Sequence, residues 1–222
     1  DQIESAETIH AAGNDLLNLI NDILDLSKIE AGKMSIRPNW ISLHRLTEEL
    51  TRFIRPIATN KGLDFRRHIQ TDVPEKIFTD QQRLEQILKN LLSNAIKFTD
   101  SGFVELLVSR PSDDKIAIEV IDTGIGIADD KQADVFKAFE QVDSAANRKF
   151  SGTGLGLTIT TELTRILGGE IELTSELGSG STFKIILPIQ YDASLISPQI
   201  EVQTGEGKRA KIGEPHPPHG NL

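Results

Sequence analysis

The sequence contains no cysteine among its 222 residues. This absence excludes a disulfide framework and any metal site built on thiolates, and it fits a protein of a reducing compartment. Long hydrophobic runs are absent as well, because the longest ones fall far short of the roughly 20 residues that cross a bilayer. No signal peptide opens the chain. We therefore expect a soluble, cytoplasmic piece with no direct membrane contact.

An excess of positive charge is also missing. The chain carries 24 Lys and Arg residues against 33 Asp and Glu residues, which gives a net charge of -9. Nucleic acids and anionic membrane surfaces attract proteins through basic patches, and this balance does not favour such patches. We expect no nucleic acid among the partners.

A helical pattern covers residues 1–31. Its apolar positions recur every three to four residues and form a stripe that must pack against other helices. The stripe consists of Ile9, Leu16, Leu17, Ile20, Ile23 and Leu24. Because the chain starts inside this helix, with neither an initiator Met nor a turn before it, we interpret it as a fragment.

Changes of composition divide the rest of the chain. Gly32 ends the first helix, and residues 32–40 are interpreted as a linker. Residues 41–189 alternate between helical and strand-like patterns, which predicts one mixed α/β domain. Residues 190–222 are rich in Pro, Gly and charge, and they are expected to be a disordered tail or an interdomain linker.

Within residues 41–189 the two patterns predict helices and strands in alternation. Helices are expected at 43–60, 81–97, 130–139 and 153–167. Strands are expected at 63–70, 103–109, 115–121, 170–175 and 182–188.

Two glycine clusters stand out, DTGIGI at 122–127 and GTGLGL at 152–157. Glycine allows a positive φ and a close approach of the backbone to a ligand, but either cluster alone is equally typical of a turn. The second cluster opens a predicted helix, whose unpaired N-terminal amides suit a phosphate chain. No P-loop motif is present, so the P-loop fold is excluded as the explanation.

The predicted helix at 81–97 carries a polar stripe. Asn90, Asn94 and Lys97 follow one another at spacings of four and three, which places them on one face. Amide oxygens can bind a hydrated magnesium ion, and the ammonium can offset phosphate charge. Taken alone, such a stripe is more typical of a solvated helix face. The opposite face is apolar and consists of Leu84, Ile87, Leu88, Leu91 and Leu92.

Together these segments resemble the GHKL ATPase superfamily and, within it, the histidine kinases. Five motifs follow in the order of that family, which makes the resemblance specific. They are the N box at 85–99, the first glycine box at 122–127, the F box at 136–139, the second glycine box at 152–157 and the third glycine box at 178–183. Upstream, LLNLINDILDLSKIEAGK at 16–33 is similar to the second helix of the kinases' dimerisation hairpin, in the form found in hybrid kinases.

The resemblance implies a two-layer, Bergerat-type α/β sandwich, in which helices on a mixed sheet hold ATP and Mg²⁺, preceded by one long helix. It implies that Asp122 accepts a hydrogen bond from the adenine amine and that Asn94 binds magnesium. Asn90 and Lys97 would contact phosphates or the metal shell, and Thr182 would lie near adenine. The other residues implied in nucleotide binding are Gly124, Gly126, Ile127, Phe139, Gly152, Thr153, Gly154, Leu155, Gly156 and Leu157.

Residues 140–151 resemble the mobile lid over ATP. Arg148 and Lys149 in this segment are expected to steady the γ-phosphate, which the family position implies and charge alone does not, since surface cations are more often solvated. Arg148 thereby joins Asn90 and Lys97 among the residues implied in phosphoryl transfer.

The implied activity is ATP-dependent phosphorylation of a protein histidine. A hydrolase of the gyrase or chaperone kind is disfavoured, because Asn90 stands where those relatives carry a glutamate that activates water. A degenerate kinase module, which binds nucleotide without transferring phosphate, stays open as a further alternative.

The acceptor is expected outside this sequence. In the family the acceptor histidine is followed by an acidic residue and then by Arg and Pro, and none of the five histidines here has this context. The implied partners are ATP or ADP, the acceptor helix of the parent kinase and the receiver domain of a response regulator. The parent is expected to be a homodimer, and whether it is an inner-membrane sensor stays open.

Overall fold

The computed structural model describes residues 2–140 and 154–193, with side chains from Leu16 onward. These residues form helices and strands in alternation. The helices are α1 (Gln2–Glu30), α2 (Leu43–Asn60), α3 (Gln81–Phe98) and α4 (Gly156–Ile166). The strands are β1 (Asn39–Ser42), β2 (Asp64–Ile69), β3 (Lys76–Thr79), β4 (Phe103–Ser112), β5 (Lys115–Asp122), β6 (Glu170–Glu176) and β7 (Gly180–Pro188).

Five strands form one mixed sheet in the order β2-β4-β5-β7-β6. β2 runs parallel to β4, and the other neighbours are antiparallel. Along each strand, alternate side chains point to one face, and there they build the core with α2, α3 and α4. This confirms the predicted class, a two-layer arrangement of helices on a mixed sheet.

The helices α2 and α3 begin where the sequence predicts, because a side chain caps each start. The hydroxyl of Ser42 accepts a hydrogen bond from the backbone N–H of Arg45, and the carboxylate of Asp80 accepts one from that of Arg83. The apolar face of α3 is fully buried, as expected, in the residues Leu84, Ile87, Leu88, Leu91 and Leu92. Its polar stripe therefore faces away from the core.

The segment 32–40, expected to be a linker, is packed into the domain. Met34 and Ile36 are 1% and 0% exposed and belong to the same core as α3. The backbone N–H of Arg37 donates to the carboxylate of Asp80 at 2.7 Å. The connection from α1 is thus held against the start of α3.

Two short strands, β1 and β3, are absent from the sequence prediction. They pair antiparallel, with Trp40 opposite Phe78. The backbone of Phe78 also bonds to Ile189 and Tyr191, and the Tyr191 side chain is buried. The ordered fold therefore passes the expected end at residue 189, while residues 194–222 of the expected tail lie outside the described ranges.

Helix α1 docks on the domain by one side. Ile29 is buried in the shared core, and the carboxylate of Asp25 accepts a hydrogen bond from the Gln86 side chain at 2.8 Å. The other side exposes the apolar stripe Leu16, Leu17, Ile20, Ile23 and Leu24. None of the helices in the described ranges is long and apolar enough to span a membrane.

The helix predicted at 130–139 is wrong. Two single turns of 3₁₀ helix, Asp129–Lys131 and Asp134–Phe136, occupy this region. Between them the Gln132 side chain donates to the carbonyl oxygens of Ile127 and Ser175. The segment is thereby held along the β6–β7 hairpin instead of winding into a continuous helix. The helix predicted from residue 153 begins instead at Gly156.

Truncation of Ile36 to alanine tests whether segment 32–40 is part of the core. Because the side chain is fully buried, Ile36→Ala should lower the free energy of unfolding by about 2–5 kcal/mol in urea denaturation. Leu177→Ala, at an exposed aliphatic side chain, is the control and should change it by less than about 0.5 kcal/mol. Equal, small effects of both changes would contradict the packing of this segment.

Candidate functional site

A buried carboxylate marks the end of β5. Asp122 is 7% exposed, and its carboxylate accepts a hydrogen bond from the backbone N–H of Gly124 at 2.8 Å. Burial raises the pKa of this carboxyl above its ordinary value, and backbone N–H groups of Gly124 and Ser181 oppose the shift only in part. Because the backbone N–H groups compensate its charge only in part, this carboxylate at the edge of the core is suited to accept a hydrogen bond from a ligand.

The first glycine loop is fastened at both sides. On one side the backbone N–H of Ile125 donates to the carbonyl oxygen of Phe98, at the end of α3. On the other side Gly126, at φ +65°, lies so close to the carbonyl of Glu176 that a Cβ would collide with it. Only glycine combines this backbone conformation with this approach.

Ser175 on β6 links the first and third glycine boxes, a role that the sequence prediction missed. Its hydroxyl accepts a hydrogen bond from the backbone N–H of Ile127 at 2.8 Å and lies 2.9 Å from the carbonyl oxygen of Gly180. It also lies 2.9 Å from the hydroxyl of Ser181. The loop that carries Ile127 is therefore held against the turn of the hairpin.

The strand register places Ser181, and not Thr182, opposite Asp122. Asp122 is the cross-strand partner of Ser181, whereas Thr182 is opposite Ile121. Because neighbouring positions of a strand point to opposite faces, Thr182 points away from Asp122. The hydroxyl beside the carboxylate is that of Ser181, which is 7% exposed.

The polar stripe of α3 meets the second glycine box. The side-chain amide of Asn90 donates to the hydroxyl of Thr160 on α4 at 2.8 Å. Its amide oxygen lies so close to Gly156 that a Cβ there would collide with it. Glycine at position 156 thus lets the two helices approach around Asn90.

Farther along the stripe, Asn94 and Lys97 are half-buried. The Lys97 ammonium lies 4.9 Å from the centre of the Phe98 ring, and burial lowers its pKa. Both side chains therefore lie between the core and the surface. They belong to α3, whose last residue, Phe98, is bonded to the first glycine loop.

The second glycine box leads directly into α4. Leu155 is fully buried, Leu157 is half-buried, and no side chain of the described residues caps the first turn of the helix. The start of a helix suits an anion, because its first backbone N–H groups point outward along the axis. Four expected site residues, namely Arg148, Lys149, Gly152 and Thr153, lie outside the described residues.

The F box touches the second glycine box. The backbone N–H of Phe139 donates to the carbonyl oxygen of Gly154, and the Phe139 side chain is 67% exposed. Phe139 has φ +65°, a left-handed conformation that is uncommon outside glycine. Phe136 packs edge-on against Phe183 in the core. The first and second glycine boxes, the F box and the stripe of α3 thus come together around α3 and α4.

The sequence that forms this arrangement is similar to those of known proteins. The family described as "Histidine kinase-, DNA gyrase B-, and HSP90-like ATPase" matches residues 79–191. "Signal transduction histidine-protein kinase BarA" of Escherichia coli (strain K12) is 38% identical over 219 residues, which cover 97% of this chain and 24% of that protein. "Hybrid signal transduction histidine kinase B" of Dictyostelium discoideum is 44% identical over 191 residues, which cover 84% of this chain and 10% of that protein. The chain thus spans about a quarter or less of these relatives.

A solved structure has the same fold. The crystal structure of full-length ShkA in complex with AMPPNP superposes with a TM-score of 0.76 at 31% identity. The match covers 88% of this chain and 40% of that one.

Substitution of Asp122 tests whether its buried charge opposes folding. Because the pKa of the folded state is raised, the folded protein binds more protons than the unfolded chain between the ordinary and the raised value. Stability should therefore fall as pH rises through this window, which starts near pH ~4. Asp122→Asn should be more stable than the parent at neutral pH, and the difference should vanish in acid, as measured by urea denaturation at several pH values.

Asp113→Asn is the matched control, since that carboxylate is fully exposed. It should leave the pH dependence of stability as it is in the parent. If Asp122→Asn were less stable at neutral pH, the carboxylate would be a net stabilising group, contrary to this view.

Proposed function

We propose that this chain, which belongs to the family of histidine kinase-, DNA gyrase B- and HSP90-like ATPases, transfers the γ-phosphoryl group of ATP to a histidine. It is homologous to the ATP-binding catalytic domain of two-component sensor histidine kinases. The observation that carries the proposal is the match to kinases at 38–44% identity across most of the chain, including α1. The acceptor histidine would belong to another part of the parent protein.

The adenine is proposed to bind at Asp122. The carboxylate is buried and only partly compensated, so a hydrogen bond from the adenine amine would stabilise it. Ser181 and the loop at Ile127 would border the base, because Ser181 is the cross-strand partner of Asp122 and both are joined to Ser175. A base without an amine at this position would not supply this further donor to the carboxylate, which gives specificity for adenine.

The phosphates are proposed to lie between the start of α4 and the stripe of α3. The backbone N–H groups at the start of α4, near Leu155 and Gly156, suit an anion. Lys97 supplies a cation on the same side of α3 as Asn90. Arg148 and Lys149, outside the described residues, are proposed to steady the γ-phosphate from the lid.

Mg²⁺ is proposed to be held by the amide oxygen of Asn94 together with the phosphates of the nucleotide. No group of three or more acidic, His or Cys side chains in the described ranges forms a metal cluster. Mg²⁺ usually keeps most of its waters and takes one or two protein ligands beside phosphates, so a single half-buried amide fits it. When bound, it would neutralise phosphate charge during transfer.

Hydrolysis is not favoured by the residue at position 90. The Asn90 amide is engaged with Thr160 and lies against Gly156, and an amide is a poor general base. ATP would therefore be kept for an aligned acceptor, since phosphoryl transfer depends mainly on positioning and charge compensation.

The parent protein is proposed to be a homodimer with a response regulator receiver domain as its partner. The exposed apolar stripe of α1 supports a helical partner for this chain. The relatives named as sensor and hybrid kinases support a receiver domain. For this chain a cytoplasmic location is proposed.

Nucleotide titration tests the site. Isothermal calorimetry with ADP or AMPPNP and Mg²⁺ should show binding to the native chain. Asn94→Ala and Asp122→Asn should each weaken it by tenfold or more, because each removes a hydrogen-bonding or coordinating group worth about 1.4 kcal/mol or more. Asn39→Ala, at an exposed amide on β1 that is not part of the proposed site, serves as the control. A folded native chain that binds neither nucleotide would contradict the proposed site.

Phosphate transfer separates a kinase from a hydrolase and from an inactive module. With [γ-³²P]ATP, Mg²⁺ and a separately supplied dimerisation hairpin of a related kinase, the label should move to the histidine of that hairpin. Steady release of inorganic phosphate without acceptor should stay at background. Continuous release would instead indicate a hydrolase, and binding with neither transfer nor release would indicate a degenerate module.

A further inference from the structure

Lys61 connects the ends of two helices. Its backbone N–H follows α2 and donates to the carbonyl oxygens of Ile57 and Ala58. Its side chain crosses to α3, where the ammonium donates to the carbonyl oxygens of Ile96 at 2.7 Å and Lys97 at 2.9 Å. The side chain is 30% exposed. Lys61 therefore caps the C-terminal end of α2 with its backbone N–H and the C-terminal end of α3 with its side chain.

The last carbonyl groups of a helix have no partner within it, and the end of α3 shows where each one goes. The hydroxyl of Thr99 donates to the carbonyl of Ala95 at 2.7 Å. The Lys61 ammonium donates to the carbonyl oxygens of Ile96 and Lys97. The carbonyl of Phe98 accepts from the N–H of Ile125 in the first glycine loop at 3.2 Å. Four consecutive carbonyls are thus occupied, two of them by one ammonium.

The last turn of α3 lies beside residues of the proposed nucleotide site. Lys97 lies within it, and Asn94 lies one turn earlier on the same face. The bond from Phe98 to Ile125 joins the turn to the loop that begins at Asp122. Displacement of the last turn of α3 would therefore move both the phosphate side and the adenine side of the site.

We propose that Lys61 is a positioning residue for the nucleotide site, which it sets by fixing the last turn of α3 and, through Phe98, the first glycine loop. This inference rests on the proposed function. Lys61 would act through α3 and the first glycine loop and not by contact with the nucleotide. It acts as a cation at a helix C-terminus, where an ammonium is favoured by the helix dipole.

A surface ion pair does not account for Lys61. Its ammonium lies 3.8 Å from the carboxylate of Asp100, whose side chain is 79% exposed. Exposed pairs of this kind contribute little to stability. The two bonds to the α3 carbonyls are shorter and partly buried, so they carry the proposed role.

The test compares Lys61→Met with Lys61→Arg in the whole chain. Lys61→Met keeps the length of the side chain but removes the donors, and it should weaken binding of ADP with Mg²⁺ about tenfold in calorimetry, since bonds from a charged donor are lost. Lys61→Arg keeps the charge and the donors and should recover most of the affinity. Asp100→Asn removes the surface partner and should bind like the parent.

Amide hydrogen exchange distinguishes positioning from general loss of stability. In Lys61→Met the amide of Ile125 should exchange faster while the amides of the central strands β5 and β7 keep their protection. Faster exchange throughout the domain would overturn the positioning role, and so would unchanged ADP affinity. If Lys61→Met does not fold, Lys61→Gln, which keeps one donor group, is measured instead with the same criteria.

Different results would contradict the proposed function and the proposed role of Lys61. If the folded parent does not bind ADP, the proposed function is wrong, and exchange at Ile125 still decides whether Lys61 holds the loop. If the parent binds ADP and Lys61→Met binds it equally well, the proposed function stands and the role of Lys61 is wrong.

Discussion

The backbone groups at both ends of α3 must find partners inside the protein, and much of the domain is arranged around how they do so. At the start, the carboxylate of Asp80 accepts from the N–H groups of both Arg83 and Arg37. At the end, Lys61 and the N–H of Ile125 take the last carbonyls. With 18 residues, α3 spans about 27 Å. It therefore joins the connection from α1 at one end to the first glycine loop at the other.

A close contact between α3 and α4 follows from this placement. The amide of Asn90 donates to Thr160 and presents its oxygen to Gly156, where no Cβ is tolerated. An amide is suited to this position because it has both a donor and an acceptor, whereas a carboxylate has only acceptors. The residue that is proposed to disfavour hydrolysis is thus also the residue that joins α3 to α4.

Sequence patterns within one segment predicted the helices and strands whose formation depends mainly on that segment. The apolar periods predicted helices from residues 43 and 81, and the structure confirms both starts. The short strands β1 and β3 could not be predicted this way, because each has four residues and its partner is far along the chain. The misplaced helix at 130–139 reflects Gln132, whose side chain bonds across to another segment. The sequence prediction named Thr182 and did not consider Ser181, which alternates with the apolar Phe183 and Ile185 and therefore shares their buried face.

Two features of the candidate site are suited to a ligand. Asp122 is buried with a raised pKa, and no side chain of the described residues caps the start of α4. An adenine amine would compensate the first of these and phosphate oxygens the second. A ligand that binds only the folded state also stabilises it by mass action, so nucleotide affinity and fold stability are linked in this domain. Lys61, which is bonded to the last turn of α3, is proposed to act on both quantities by the same contacts.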